Sequence, residues 1–207
     1  MRKKVCIFGA GGLGRSVYSL MRMLGEHELL FAFVEDDDCF VSRTIMDIRV
    51  LPLSAIQLQD FEFLLAIGSP TARQAVVNRL GSNVRYASCI HPSVICLEEV
   101  IIESGAIIFP SIYLSRNICI GHHAIIMPGT VIGHDVVIGD CFTASANVSI
   151  GGHARIGNQV FCGLSSCIKD KISLTDGVVV GMGAVVARTI ENSGTYFGNP
   201  ARRLTSN

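Results

Sequence analysis

An excess of charge of either sign is missing from this chain. Its 207 residues carry 17 Lys plus Arg against 17 Asp plus Glu. Partners that need a basic footprint, nucleic acid and anionic lipid among them, are thereby excluded, and a small polar or acidic metabolite is the expected partner. Long apolar runs are missing too: nothing approaches the roughly 20 residues of a membrane-spanning helix. The opening MRKK-VCIF imitates a signal peptide, but its apolar run stops after four residues in a glycine cluster. The eight cysteines do not read as a disulfide framework. Cys96, Cys119, Cys162 and Cys167 fall on core or neighbouring strand positions of a repeat, where a reduced thiol packs as a small hydrophobe. A cytoplasmic location is expected, and the sequon Asn147-Val148-Ser149 then has no meaning as a glycosylation site.

What is present is a six-residue beat. From Ile90 through Ile108, Ile126, Ile132 and Ile150 to Val186, every sixth residue is aliphatic, Cys or Ala without a change of phase. Chance would produce such a run on the order of once in 10^5. Glycine follows directly at several of these positions, such as Gly133 and Gly151, and small or β-branched residues stand two before, such as Thr130 and Val136. Neither a helix nor a plain strand has this period; one flat side of a parallel β-helix does.

The first eighty-odd residues read differently. Val5 to Phe8 is a short buried strand, and Gly9-Ala10-Gly11-Gly12-Leu13-Gly14 leads from it into a helical pattern. Glycines there permit a tight turn and let N–H groups at the helix start approach a phosphate. A second strand ends in Glu35-Asp36-Asp37-Asp38, about where a Rossmann unit holds a ribose, and a third closes on Gly68-Ser69-Pro70. The segment supplies strands for one mononucleotide-binding half, which suits a nucleotide-sugar better than NAD.

Taken together, Gly9 to Gly14, Val34 to Asp37, Ala66-Ile67-Gly68, Ile90-His91-Pro92-Ser93, Ile132-Gly133-His134-Asp135 and Gly198-Asn199-Pro200-Ala201-Arg202 resemble the hexapeptide-repeat sugar acetyltransferases. The resemblance is to the bacillosamine-type UDP-4-amino-sugar N-acetyltransferases and the sialic acid O-acetyltransferases. It implies an α/β Rossmann-like half domain over residues 1–86, then an all-β left-handed parallel β-helix with three hexads per coil over residues 87–207, C-terminal tail included. It further implies an acetyl-CoA-dependent N-acetyltransferase acting on a nucleotide-linked amino sugar, a homotrimer with sites between neighbours, and no metal.

By that resemblance His134 is the general base, Asp135 its acidic helper, and the Gly152 N–H the donor to the thioester oxygen. An imidazole can take the acceptor's proton near neutrality, and a carboxylate beside it fixes the tautomer. Residues 18 apart should stack about 4.8 Å apart, which places Gly152 one coil from His134 and His153 beside Asp135, where a solvated turn role is favoured. The pantetheine arm is expected along a column of Ala146, Leu164, Met182 and Pro200, flanked by Gly163 and Gly181. Nucleotide contacts are expected from Gly11, Gly12, Leu13, Glu35, Asp36 and Gly68. Thr143 stands where relatives often carry histidine, and a hydrogen bond from it to the thioester or pantetheine is expected. His27, His91, His122 and His123 are read as turn histidines. O-acetylation is the nearest alternative, and a metal-dependent β-helix lyase, which needs three converging histidines, a more distant one.

Overall fold

The computed structural model describes residues 3–204; Met1 and Arg2 of the basic opening, and residues 205–207 of the tail, lie outside the described residues. The chain starts as a six-stranded α/β sheet: β1 (Lys4–Phe8), β2 (Leu30–Glu35), β3 (Thr44–Ile45), β4 (Ile48–Pro52), β5 (Phe61–Leu65) and β6 (Arg85–Tyr86). Their order is β3-β4-β2-β1-β5-β6, all parallel except the β3–β4 hairpin. Helix α1 (Gly12–Met23) buries Val17, Leu20 and Met21, and helix α2 (Pro70–Leu80) buries Val76 and Leu80. Ser69 caps α2 through the Ala72 N–H, and Pro70 sits in its first turn, where no N–H is needed. At the start of α1 the chain doubles back so closely that a Cβ on Gly14 would lie 2.0 Å from the Gly9 oxygen.

From Cys89 the chain is a left-handed parallel β-helix. Two- and three-residue strands stack in three sheets in 18-residue register as far as Val186, as in Ile107↔Ile125↔Thr143↔Phe161 and Tyr113↔Val131↔Ser149↔Cys167, and the last step shortens to 16 residues, as in Val178↔Gly194. Face one begins at Cys89–Ile90, face two at Ile95–Cys96 and face three at Val100–Ile102. The aliphatic series points inward and is buried from Ile108 to Val186. Residues two before it, among them Ala106, Thr130, Val136, Ala154 and Val160, are fully buried beside it.

The first coil departs from the expected core. Cys96 is exposed and Ile90 and Ile102 only half-buried, because the inward phase persists there with no coil stacked beneath. Cys167 is also exposed, being an outward strand position, whereas burial pushes the thiols of Cys6, Cys89 and Cys162 up to about 12.

The turns carry a second six-residue rhythm. Every sixth residue from Glu99 to Gly183 has positive φ, yet only Gly105, Gly129, Gly177 and Gly183 among them are glycine. Polar residues that tolerate the left-handed region, such as Asn117, Asp135 and Asn147, fill others. The glycines after the aliphatic positions serve close approach instead: a Cβ on Gly133 would lie 2.7 Å from the Gly152 nitrogen, in the next coil.

The α/β part packs on face one. Its outward residues Cys89, Ile107, Ile125 and Thr143 are buried in consequence, while Ile95 and Ile101 on the other two faces are 55% and 58% exposed. The contact is pinned by Arg73 of α2, which is completely buried. Its Nε donates to the His123 carbonyl at 2.9 Å, and its Nη2 to Cys141 O at 2.8 Å, Phe142 O at 3.0 Å and Thr143 Oγ1 at 2.9 Å. Nη1 donates to the Ile67 carbonyl. All five acceptors are neutral, and burial lowers the guanidinium to about 10, still charged at neutral pH.

His123 lies in this contact and is not the exposed turn residue expected. It is 6% exposed, its ring stands edge-on to Tyr86 at 4.3 Å, and burial lowers it to about 4. Between about pH 6.5 and 4 the unfolded chain therefore binds a proton that the folded chain does not. The expected result is that this group's contribution to stability is full above pH 6.5 and falls by about 3 kcal/mol towards pH 4. Thermal melts across that range check it, and His123→Asn, which suits φ +59, should flatten the dependence.

Candidate active site

His134 and Asp135 form the turn from Val131–Ile132 on face two to Val137–Ile138 on face three. Asp135 takes the positive-φ position, and its Oδ2 lies 2.6 Å from His134 Nδ1. Asn117, one coil earlier in the same column, donates its Nδ2 to Asp135 Oδ1 at 2.6 Å. These two hydrogen bonds, His134's first, hold the Asp135 carboxyl below the ordinary carboxylate range. With Nδ1–H directed at the carboxylate, the lone pair of Nε2 is free to accept a proton. The dyad is half-exposed, open to a ligand.

Gly152 lies one coil further on. A Cβ added there would stand 2.9 Å from His134 Nε2, so glycine is what leaves room beside the ring. Among the described residues the Gly152 N–H has no hydrogen-bond acceptor. A proton acceptor and a free N–H donor thus share one corner, the arrangement that stabilises an oxyanion beside a general base. Gly152→Ala is expected to place a methyl against Nε2 and lower turnover while leaving the melting temperature close to that of the parent chain. Steady-state kinetics alongside a melt separate the two effects.

His153 is exposed at a turn, as expected, but it is not bland. Its Nε2 lies 3.7 Å from Asp135 Oδ2, and its ring stands at 87° to that of His134 with centroids 4.9 Å apart. Asn117 was missed at the sequence level, although stepping 18 residues back from Asp135 finds it.

The glycine turn, the end of β2 and the loop after β5 meet at the carboxyl end of the sheet, where an α/β unit binds its ligand. The Gly9 N–H bonds Val34 O at 2.8 Å, and the Ala66 N–H bonds Phe8 O at 2.8 Å. Gly11, Gly12, Leu13, Glu35, Asp36 and Gly68 are therefore neighbours. Gly11 is the exposed N-cap of α1, and no acid occupies the first turn of that helix, which suits a phosphate there. Glu35 is bidentate to Arg43 (2.6 and 2.9 Å) and Asp36 is paired with Arg79. Both acids thus already have partners, which neutralises charge that would repel a diphosphate.

A cleft of about 650 Å³ runs from Gly12, Arg15 and Ser16 to Phe109, Pro110 and Pro128, at the corner joining faces one and two. Further up the same corner stands the column of Ala146, Leu164 and Met182; Pro200, expected to continue it, does not, because the last coil is two residues short and Val180 pairs with Tyr196. The Ser165 N–H bonds Ala146 O and the Gly183 N–H bonds Leu164 O, which keeps the stack in register. Leu164 and Met182 are 51% and 69% exposed. Gly163 and Gly181 are buried beside it; a Cβ on Gly181 would collide with the Phe197 ring.

Thr143 does not have the place expected of it. Its hydroxyl is buried, accepts from Arg73 and donates to Gly68 O at 3.0 Å, so its one proton is used inside the contact between the two halves. A hydrogen bond from it to a thioester would require breaking that contact.

Comparison with known proteins gives the same two-part build. Residues 4–80 match the PglD N-terminal domain family. The whole chain superposes on a mutant of perosamine N-acetyltransferase from Caulobacter crescentus in complex with CoA and GDP-perosamine, with TM-score 0.89 and 24% identity over 100% of this chain and 99% of that one. WeeI from Acinetobacter baumannii gives 0.89 and 27% over 98% and 100%. The acetyltransferase domain of PglB from Neisseria gonorrhoeae, in complex with acetyl coenzyme A, gives 0.65 and 22% over 99% and 100%. The fold of the hexapeptide-repeat sugar acetyltransferases therefore extends over the whole chain.

Proposed function

We propose that this chain is an acetyl-CoA-dependent N-acetyltransferase acting on the amino group of a nucleotide-linked amino sugar. The observation that carries the reading is the His134–Asp135 pair, 2.6 Å apart, with the free Gly152 N–H beside Nε2. The nucleotide binds at Gly11 to Leu13 and Gly68. His134 Nε2 takes the proton as the amine attacks the thioester carbonyl, the Gly152 N–H receives the developing oxyanion, and the imidazolium returns a proton to the leaving thiolate. Asp135 supports the imidazolium. The similar structures with CoA, acetyl coenzyme A and GDP-perosamine support both substrate classes.

The working unit is a homotrimer. Within one chain the nucleotide cleft and the pantetheine column share the corner between faces one and two, whereas His134 stands at the far edge of face two. A neighbouring copy laid against that face brings the two corners together. Its outward residues Ile95, Tyr113 and Val131 are apolar and exposed, as a subunit contact requires. No helix among the described residues is long and apolar enough to cross a membrane, and the reaction is assigned to the cytoplasm, where acetyl-CoA is made.

Calorimetry with UDP- and GDP-linked amino sugars and with NAD tests the binding half of this reading. The expected result is saturable binding of a sugar nucleotide that Gly12→Val removes, with NAD far weaker; tight NAD binding with no response to sugar nucleotides would reverse it.

A further inference from the structure

We propose that His134, Asp135 and His153 form a binding site for a transition-metal dication of the zinc class, and that occupancy of this site silences the base. Among the described residues these three are the one group of His, Cys, Asp or Glu side chains whose donor atoms, one from each, lie within 4.8 Å of one another. Two imidazoles and a carboxylate are a donor set that zinc accepts, with a fourth position left for water. Bond lengths of about 2.0–2.1 Å to zinc put tetrahedral ligand atoms roughly 3.3 Å apart. The 2.6 Å from His134 Nδ1 to Asp135 Oδ2 and the 3.7 Å from His153 Nε2 to the same oxygen bracket that separation. Each has to change by under about 1 Å. Stacking in adjacent coils fixes the backbone on both sides, since the His153 N–H bonds the His134 carbonyl at 2.8 Å. Asn117 holds Oδ1, which leaves Oδ2 for the ion.

The effect on catalysis follows from the tautomer. A metal on Nδ1 displaces the proton that faces Asp135, and the neutral ring then carries that proton on Nε2. Nε2, beside Gly152, has no lone pair left to accept a proton from an amine. The silencing half rests on the acetyltransferase reading; the binding half does not.

The test titrates zinc chloride into metal-stripped full-length protein by calorimetry. One site per chain is expected, weakened on the order of tenfold or more in His153→Asn, which suits the local φ of +59. His27→Asn, far from the site, should match the parent. In the transfer assay, zinc at a saturating level should stop the parent chain, a chelator should restore it, and His153→Asn should keep its own rate at that level. Absence of saturable heat, or equal zinc affinity in His153→Asn, would overturn the site; continued transfer by the zinc-saturated parent would overturn the silencing. Zinc binding as expected in a chain that acetylates no acceptor upholds the site and sinks the functional reading instead.

Discussion

Replacing His134 by Ala is expected to lower acetyl transfer by roughly 10^2- to 10^4-fold, the usual cost of losing a general base. Acetyl-CoA affinity should stay nearly unchanged, because the imidazole acts on the acceptor's proton and the column proposed for the pantetheine arm lies at a different corner of the β-helix from His134. Asp135→Asn should cost less: an amide oxygen still accepts from Nδ1–H, and only support for the imidazolium is weakened. Asp135 is held ionised below the ordinary carboxylate range, so its charge is constant across neutral and mildly acidic pH. An acid limb of kcat/KM in that range is therefore not that of Asp135. Equilibrium binding of acetyl-CoA beside steady-state rates separates a lost base from a lost fold, and near-normal turnover in His134→Ala would return that residue to the turn histidines.

The largest expected effect on stability is at Arg73. Arg73→Ala strands the carbonyls of Ile67, His123 and Cys141 in a contact from which water is excluded, and opens a void where a long side chain was completely buried. A loss of about 3–5 kcal/mol is expected, at the top of the range for single substitutions. Arg73→Lys keeps a cation but not the fork that reaches face one in several directions, and should recover only part of that loss. Denaturant midpoints of the three chains check the order. An Arg73→Ala chain as stable as its parent would mean that the two halves hold together without it.

How much of this was legible depends on whether a feature repeats. The β-helix was readable because the inward position recurs along the chain at one phase, and the 18-residue coil then placed Gly152 against His134. That same arithmetic, run one coil back, would have found Asn117. Arg73 was not legible: it sits in the helix PTARQAVVNRL, and nothing local distinguishes a solvated arginine from one buried by docking against residues 50 to 70 positions away. Thr143 was misread for a related reason. Its strand position faces outward, towards a ligand in the sequence reading, but in the structure that outer surface is covered by the α/β part. The acids after β2 were correctly placed at the sheet's carboxyl end, while their pairing with Arg43 and Arg79 depends on side chains brought in from elsewhere. Cys96 kept the phase of the core and lost its burial because a repeat's terminal coil has a neighbour on one side only.

The most direct measurement is release of free CoA from acetyl-CoA in the presence of a nucleotide-linked 4-amino sugar, compared with the same nucleotide sugar bearing a hydroxyl at that carbon. The expected result is CoA release with the amine, an acetamide in the product, little release with the hydroxyl, and loss of both signals in His134→Ala. Equal release by His134→Ala, or an acetyl ester as the product, would contradict the assignment of an N-acetyltransferase built on the His134–Asp135 pair.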